Sequence, residues 1–344
     1  MVGKTYKGIL HMDTVTQIAL GAAVGEATLG RKVGKRAMLW GGICGLFPDL
    51  DVLIPLGDAV KDFTYHRSAS HSLFVLALLT PVFVWLILKI HPQTRIHLKK
   101  WGLLVYLAFA THVILDCCTV YGTQIFWPLR TPPVMWSTIF IIDPLYSVPL
   151  IVGVLAGLIF SRKTRRGHII NTACLSLSTL YLLWCVGAKW HVENFAHASL
   201  RQQNITQQAV LTIPSAFNTL LWRVLVMGDK GYYEGYYSLF DKTDSIQLRQ
   251  YPTDAGLLQA LEEHWPVKRL QWFTHGFYSV RQMENDIVIA DLRMGSEPYY
   301  VFQFKVGELS NPHPIPTKSE RVRMAMGWDQ LQKVWERIWR DLAI

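Results

Sequence analysis

The run from Ser72 to Ile90, SLFVLALLTPVFVWLILKI, carries a single charge, Lys89. About 20 predominantly apolar residues suffice for a helix to cross a bilayer. This stretch therefore constrains the chain before any motif does. Three comparable runs follow: Trp101 to Cys118, Leu145 to Phe160 and Ile169 to Gly187. Two weaker ones come first, the Ala- and Gly-rich Thr14 to Leu29, and Ala37 to Leu46, which a Pro-containing stretch extends towards Leu56. The pattern predicts an α-helical polytopic membrane domain of about six apolar helices, the first two as full or partial spans. Gly21, Ala22 and Gly25 on the first helix, and Gly41, Gly42 and Gly45 on the second, would let these two pack backbone to backbone.

The apolar character ends near residue 190. Over the whole chain 51% of residues are hydrophobic and 17% charged, with a mean hydropathy of +0.20. That is too apolar for an ordinary soluble protein and too polar for one wholly in lipid. We divide the chain into a helical membrane domain over 1–190, a helical stalk over 191–212 and a soluble α+β domain over 213–344. In the last part, NTLLWRVLVMGDKGYYEGYYSLFD reads as a hairpin turning at Gly228-Asp229-Lys230-Gly231. RLQWFTHGFYSVRQ, DIVIADLRM and YYVFQFKVGEL predict further strands of an antiparallel sheet. TDAGLLQALEEHW predicts a capped helix, and WDQLQKVWERIWRDL an amphipathic one. The aromatic side chains of Trp222, Tyr232, Tyr233, Tyr236, Tyr237, Trp272 and Phe273 suit sheet packing. No nucleophile elbow or phosphate-binding glycine loop occurs there.

The formal charge is +9. The basic residues fall in short clusters between apolar runs, which is how membrane proteins set their orientation, and no nucleic-acid partner is implied. Arg31, Lys32, Lys35 and Arg36 follow the first run, Lys89, Arg95, Lys99 and Lys100 the third, and Arg162, Lys163, Arg165 and Arg166 the fifth. Those three connections should be cytoplasmic. Residues 49–71, 119–142 and everything after 187 should then be extracytoplasmic; Lys4 and Lys7 run against this topology. The N-terminus lacks the apolar core and small-residue site of a cleaved signal peptide. The five cysteines (44, 117, 118, 174 and 185) form no CxxC pair, so neither a thiolate zinc site nor a disulfide framework is indicated.

This topology brings the unusual polar residues to one face. Asp49 and Asp51 end the second apolar run, His66 and His71 precede the third, His112 and Asp116 lie near the end of the fourth, and Asp143 starts the fifth. His112 and Asp116 are four apart, on one helix face, and can reach one ion. His66 and His71 are separated by RSAS, where a turn capped by Ser70 could aim both rings inward. Imidazoles with carboxylates favour a divalent metal, zinc first, with manganese and iron also compatible. Asp49 or Asp51 could instead orient a ligand. Arg67 could pair with one of the carboxylates or bind an anionic group such as a phosphate. Asp143 serves equally as a structural hydrogen-bonding residue, and Asp58 and Asp62 read as solvated loop charges.

MDTVTQIALGAAVGEATLGRKVGKRAMLWGGICGLFPDLDVLI, YHRSASHSL and HVILDCCTVYGTQIFWPL, in that order, resemble the YbcI/YdjM-type family of bacterial inner-membrane metal-dependent hydrolases over about residues 12–190. The resemblance implies a multi-pass protein of the bacterial inner membrane, with metal ligands or catalytic groups at Asp49, Asp51, His66, His71, His112 and Asp116. Many relatives carry Thr-His where this chain has Thr16-Gln17, so a first-helix histidine is absent; Gln17 could still hydrogen-bond to a bound group. The expected function is hydrolysis of a phosphoester or other lipid-derived substrate at the extracytoplasmic face, with membrane lipid as partner. Asp49, Asp51 and Arg67 are the candidate catalytic groups. A metal-ion transporter or sensor, or a non-catalytic assembly protein, would use the same residues differently.

Overall fold

The computed structural model describes residues 3–160, 165–310, 313–322 and 328–340, with side chains from residue 14 onward and, in the last helix, from residue 332. Arg162 and Lys163 of the third basic cluster lie outside the described residues. The chain forms two compact units. Unit 1 comprises residues 1–54, 66–136 and 141–184; unit 2 comprises 55–65, 137–140 and 185–344.

Unit 1 begins with α1 (Gly3–Gly25), a π-helical turn (Glu26–Gly30), the short α2 (Arg31–Val33) and α3 (Lys35–Leu46). A Cβ on Gly21 would stand 2.2 Å from Gly41 O, one on Gly25 2.2 Å from Ala37 O, and one on Gly45 2.4 Å from Gln17 O. The glycines therefore set how closely α1 and α3 approach. Pro48, which cannot donate a backbone bond, opens a 3-10 segment (Phe47–Leu53). After α4 (Ala59–Tyr65), which belongs to unit 2, come a 3-10 turn (Ala69–His71), α5 (Leu73–Ile90), α6 (Leu98–Cys118) and α7 (Pro144–Phe160). α8 (Arg166–Gln202) runs on from unit 1 into unit 2 as one helix.

Among the described residues three helices are long and apolar enough to cross a membrane: Leu73–Ile90, Pro92–Cys118 and Arg166–Gln202. α7 is apolar but shorter. About six apolar helices were expected, the first two as full or partial spans; these three reach crossing length and hydropathy. α3 has 12 residues, a rise of about 18 Å, too short for a crossing, and its small-residue face is spent on α1. α6 is the central helix of unit 1: Trp101, Leu104, Val105, Ala108, Phe109 and Val113 pack with Leu76, Val84 and Ile87 of α5 and Ala37, Trp40 and Cys44 of α3. α5 is apolar all round and the first half of α8 is predominantly apolar, yet both are mostly exposed, with Leu78 at 76% and Leu183 at 64%. Such a surface suits lipid.

Unit 2 holds two four-stranded antiparallel sheets where a single sheet was expected. The first is β1 (Ala209–Pro214), β2 (Leu221–Gly228), β3 (Gly231–Ser238) and β4 (Arg249–Pro252), with the β2–β3 hairpin closing at the Gly228–Gly231 pair. Ala188, Val192, Ala196 and Leu200 of α8, one every fourth residue, pack on Trp222, Val224 and Val226. Residues 255–261, within the 253–265 stretch predicted as a capped helix, form a 3-10 segment: Thr253 Oγ1 accepts from Val280 N of the next sheet, the Asp254 backbone N–H donates to Val280 O, and no side-chain cap forms. α9 (Trp265–Phe273) takes the first part of the stretch predicted as a strand. Its Pro266, Val267, Leu270 and Phe273 are buried at helical spacing, a signal that the aromatic content masked.

The second sheet is β5 (Tyr278–Met283), β6 (Asp286–Ser296), β7 (Tyr299–Glu308) and β8 (Ile315–Val322), followed by α10 (Trp328–Trp339). α4 packs here: the Phe63 ring lies 4.9 Å from Phe273, 4.4 Å from Phe302 and 5.1 Å from Phe304, centre to centre. Asp58 and Asp62, expected to be solvated, brace this segment by accepting backbone bonds from Val60, Lys61 and Leu56.

Candidate metal centre

Four residues of unit 1 offer ligand atoms that all lie within 4.8 Å of one another: Asp49, His71, His112 and Asp116. They come from the 3-10 segment after α3, the 3-10 turn before α5, and α6. His71 Nε2 stands 3.4 Å from Asp49 Oδ1, 3.0 Å from Asp116 Oδ2 and 3.2 Å from His112 Nε2. His112 Nε2 is 3.6 Å from Asp49 Oδ1 and 3.4 Å from Asp116 Oδ2. His71, His112 and Asp116 are buried, and Asp49 is partly open.

Hydrogen bonds on the far side of each ring fix its protonation. His112 Nδ1 donates to Gly45 O at 2.7 Å, a carbonyl that can only accept. Ser70 Oγ gives its proton to Asp51 Oδ2 at 2.5 Å and so accepts from His71 Nδ1 at 2.9 Å. Both Nε2 atoms are left with lone pairs turned towards each other and towards two carboxylates. Asp116 Oδ2 takes no hydrogen bond among the described residues. Electron pairs gathered in this way repel unless they share a cation, and two imidazoles with two carboxylates fit a divalent one. Burial by itself would hold His71 neutral, but Asp116 and Asp49 outweigh it and raise its pKa. Burial would push Asp49 up, yet His112 and His71 hold it well below the usual carboxylate range. Both shifts record the same demand for positive charge.

Supporting groups surround these four. Gln17 Nε2 donates to Asp116 Oδ1 at 2.9 Å and to His112 O at 3.3 Å. Arg67 pairs with Asp116 Oδ1 at 3.2 Å, bonds Thr119 Oγ1 at 3.1 Å and lies over the Tyr121 ring. Its backbone takes φ +60°, an uncommon conformation for a residue with a side chain. Its N–H donates to Asp51 Oδ2 and its carbonyl accepts from Gln124.

Asp51 and His66 stand beside the four. His66 Nδ1 is 2.7 Å from Asp51 Oδ1, and donating to it leaves Nε2 with its lone pair. Burial alone would push the Asp51 carboxyl up; His66, His71 and Ser70 pull it below its ordinary value. The geometry thus groups Asp49, His71, His112 and Asp116, sets Asp51 behind His71 as an orienting carboxylate, joins His66 to Asp51, and sets Arg67 against Asp116. The cap before α5 is Ser72, which accepts from Val75 N, and not Ser70. Asp143 caps α7 through Leu145 and Tyr146 and accepts from Tyr181. Sequence reasoning did not find the roles of Ser70, Thr119 and the Gly45 carbonyl; the three serines of HRSASHS were the available signal for Ser70.

No curated protein and no solved structure matches the chain. The family model described as YdjM inner membrane protein matches residues 12–192, a span that contains every residue of this centre. The chain belongs to the YdjM inner membrane protein family.

Proposed function

We propose that the protein is a membrane-bound metal-dependent hydrolase acting on a phosphoester or other lipid-derived substrate at the extracytoplasmic face of the inner membrane. The observation that carries this reading is the buried His71–His112–Asp49–Asp116 set with a protonatable pair, Asp51 and His66, beside it. A zinc, manganese or iron ion bound there supplies Lewis acidity towards the scissile group. The remaining work falls to the chain. His66 Nε2 accepts a proton from the attacking water and returns it to the leaving group, while Asp51 holds the ring in the productive tautomer and stabilises its charged form. Arg67, fixed by Asp116, Thr119 and Tyr121, offers positive charge to an anionic substrate. The orientation rests on the alternation of basic and non-basic connections.

The test is turnover of a broad panel of lipid and soluble phosphoesters by detergent-purified, metal-replete protein. Hydrolysis of at least one class, lost in His66→Asn with metal content unchanged, supports the reading. Normal metal binding without turnover of any compound would contradict it and favour a transporter or sensor.

A further inference from the structure

Unit 2 contains a cavity of about 380 Å³, a size within the range of small-molecule sites. Its floor is one face of the first sheet. Glu234 and Tyr236 are two apart on β3, and Arg249 of β4 stands directly across from Glu234, so all three side chains leave the sheet on the same side. Glu297, on the turn between β6 and β7, closes one edge of the cavity, and Lys333 and Arg337 of α10 close another. The helix is fastened there. Arg337 is buried and donates to Tyr236 O at 3.1 Å, and Ser238 Oγ donates to Ile338 O at 2.8 Å.

The charges around this cavity do not balance. Each lining carboxylate has an arginine of its own: Glu234 pairs with Arg223 at 2.9 Å, Asp241 takes both ends of the Arg337 fork at 2.8 and 2.7 Å, and Glu297 pairs with Arg281 while accepting from Tyr232 at 2.6 Å. Arg249 and Lys333 also line the cavity, yet both are exposed and neither forms an ion pair among the described residues. Two positive charges are therefore left over in a concave space, which concentrates their field on whatever enters. A phosphate monoester matches them, with close to two negative charges on three strong acceptor oxygens near neutral pH. The arginine fork and the lysine point charge both suit those oxygens. We propose that unit 2 binds a phosphate monoester in this cavity, its phosphate on Arg249 and Lys333 and its organic part against Tyr236, a site separate from the metal centre. Soluble glycerol or sugar phosphates share this chemistry with the headgroup of a phosphatidic acid.

Isothermal titration calorimetry on the full chain in detergent tests this, with glycerol 3-phosphate and dihexanoyl phosphatidic acid as the two probes. The wild type should bind at least one of them, and Arg249→Ala and Lys333→Ala should each weaken that binding by about 10-fold or more. Because both side chains are exposed, the two variants should keep the wild-type Tm. Their effect also separates this cavity from uptake of phosphate at the metal centre. Binding of both probes supports the proposal with a soluble ester as ligand; binding of phosphatidic acid alone supports it with a lipid headgroup. No binding of either probe, or an affinity equal in the wild type and both variants, would overturn it.

Discussion

At the scale of single residues, the centre depends on groups that do not themselves reach the ion. Gln17 lies beside the centre, and its amide donates to Asp116 and to the His112 carbonyl. Orienting groups of this kind are commonly worth 10–100-fold in metal affinity. Gln17→Ala should therefore weaken metal binding by about 10–100-fold while leaving the stoichiometry at saturating metal unchanged, as measured by competition with a chelator of known affinity; an unaltered affinity would make Gln17 a bystander. Ser70→Ala should also weaken binding, because it cuts the link from Asp51 to the His71 ring. The polar residues themselves were legible in the sequence, since charges and imidazoles at the ends of apolar runs need a reason to be there. Their division of labour was not. Whether a histidine contributes Nδ1 or Nε2 depends on which acceptor sits behind it, and Ser70 and Gly45 O reach those positions only through a 3-10 turn and a helix contact.

At the scale of elements, the α1–α3 contact is the part that sequence described best, because small residues four apart on two neighbouring helices have few other uses. Gly21→Ala would place a methyl 2.2 Å from Gly41 O, where only a backbone shift relieves it, whereas nothing lies within 4 Å of a Cβ on Gly102. The first substitution should lower stability by about 1–3 kcal/mol and the second, inside α6, should raise it by up to about 1 kcal/mol, as read from unfolding in detergent. Because Gly45 of α3 holds His112, Gly21→Ala should also weaken metal binding. The elements that escaped sequence reading have physical reasons. α9 is short and aromatic, so its helical period competed with strand-like composition. The expected 253–265 helix has its Thr253 hydroxyl engaged by Val280 instead of capping it. β8 is exposed along most of its length and offers little alternation to detect.

At the scale of the whole molecule, the chain order does not follow the two units. Residues 55–65 lie between Asp51 and His66, yet they fold in unit 2 through Phe63 and through Arg269, which donates to Thr64. No composition shift marks that excursion, so contiguous boundaries were the natural expectation. Unit 2 is itself tied together by buried charge. Arg223 of β2 pairs with Glu234 at 2.9 Å and donates to Leu292 O of the other sheet at 2.8 Å, while Tyr300 donates to Glu234 at 3.1 Å. Arg223→Met would strand that carboxylate, and a loss of about 3–5 kcal/mol is expected, measured by denaturant unfolding. The central claim concerns the metal. Metal content by mass spectrometry on detergent-purified protein, with His71→Ala and His112→Ala compared as folded species, tests it most directly. The account expects near-stoichiometric zinc, manganese or iron in the wild type and its loss in both variants; a properly folded wild type that binds no divalent metal would contradict it.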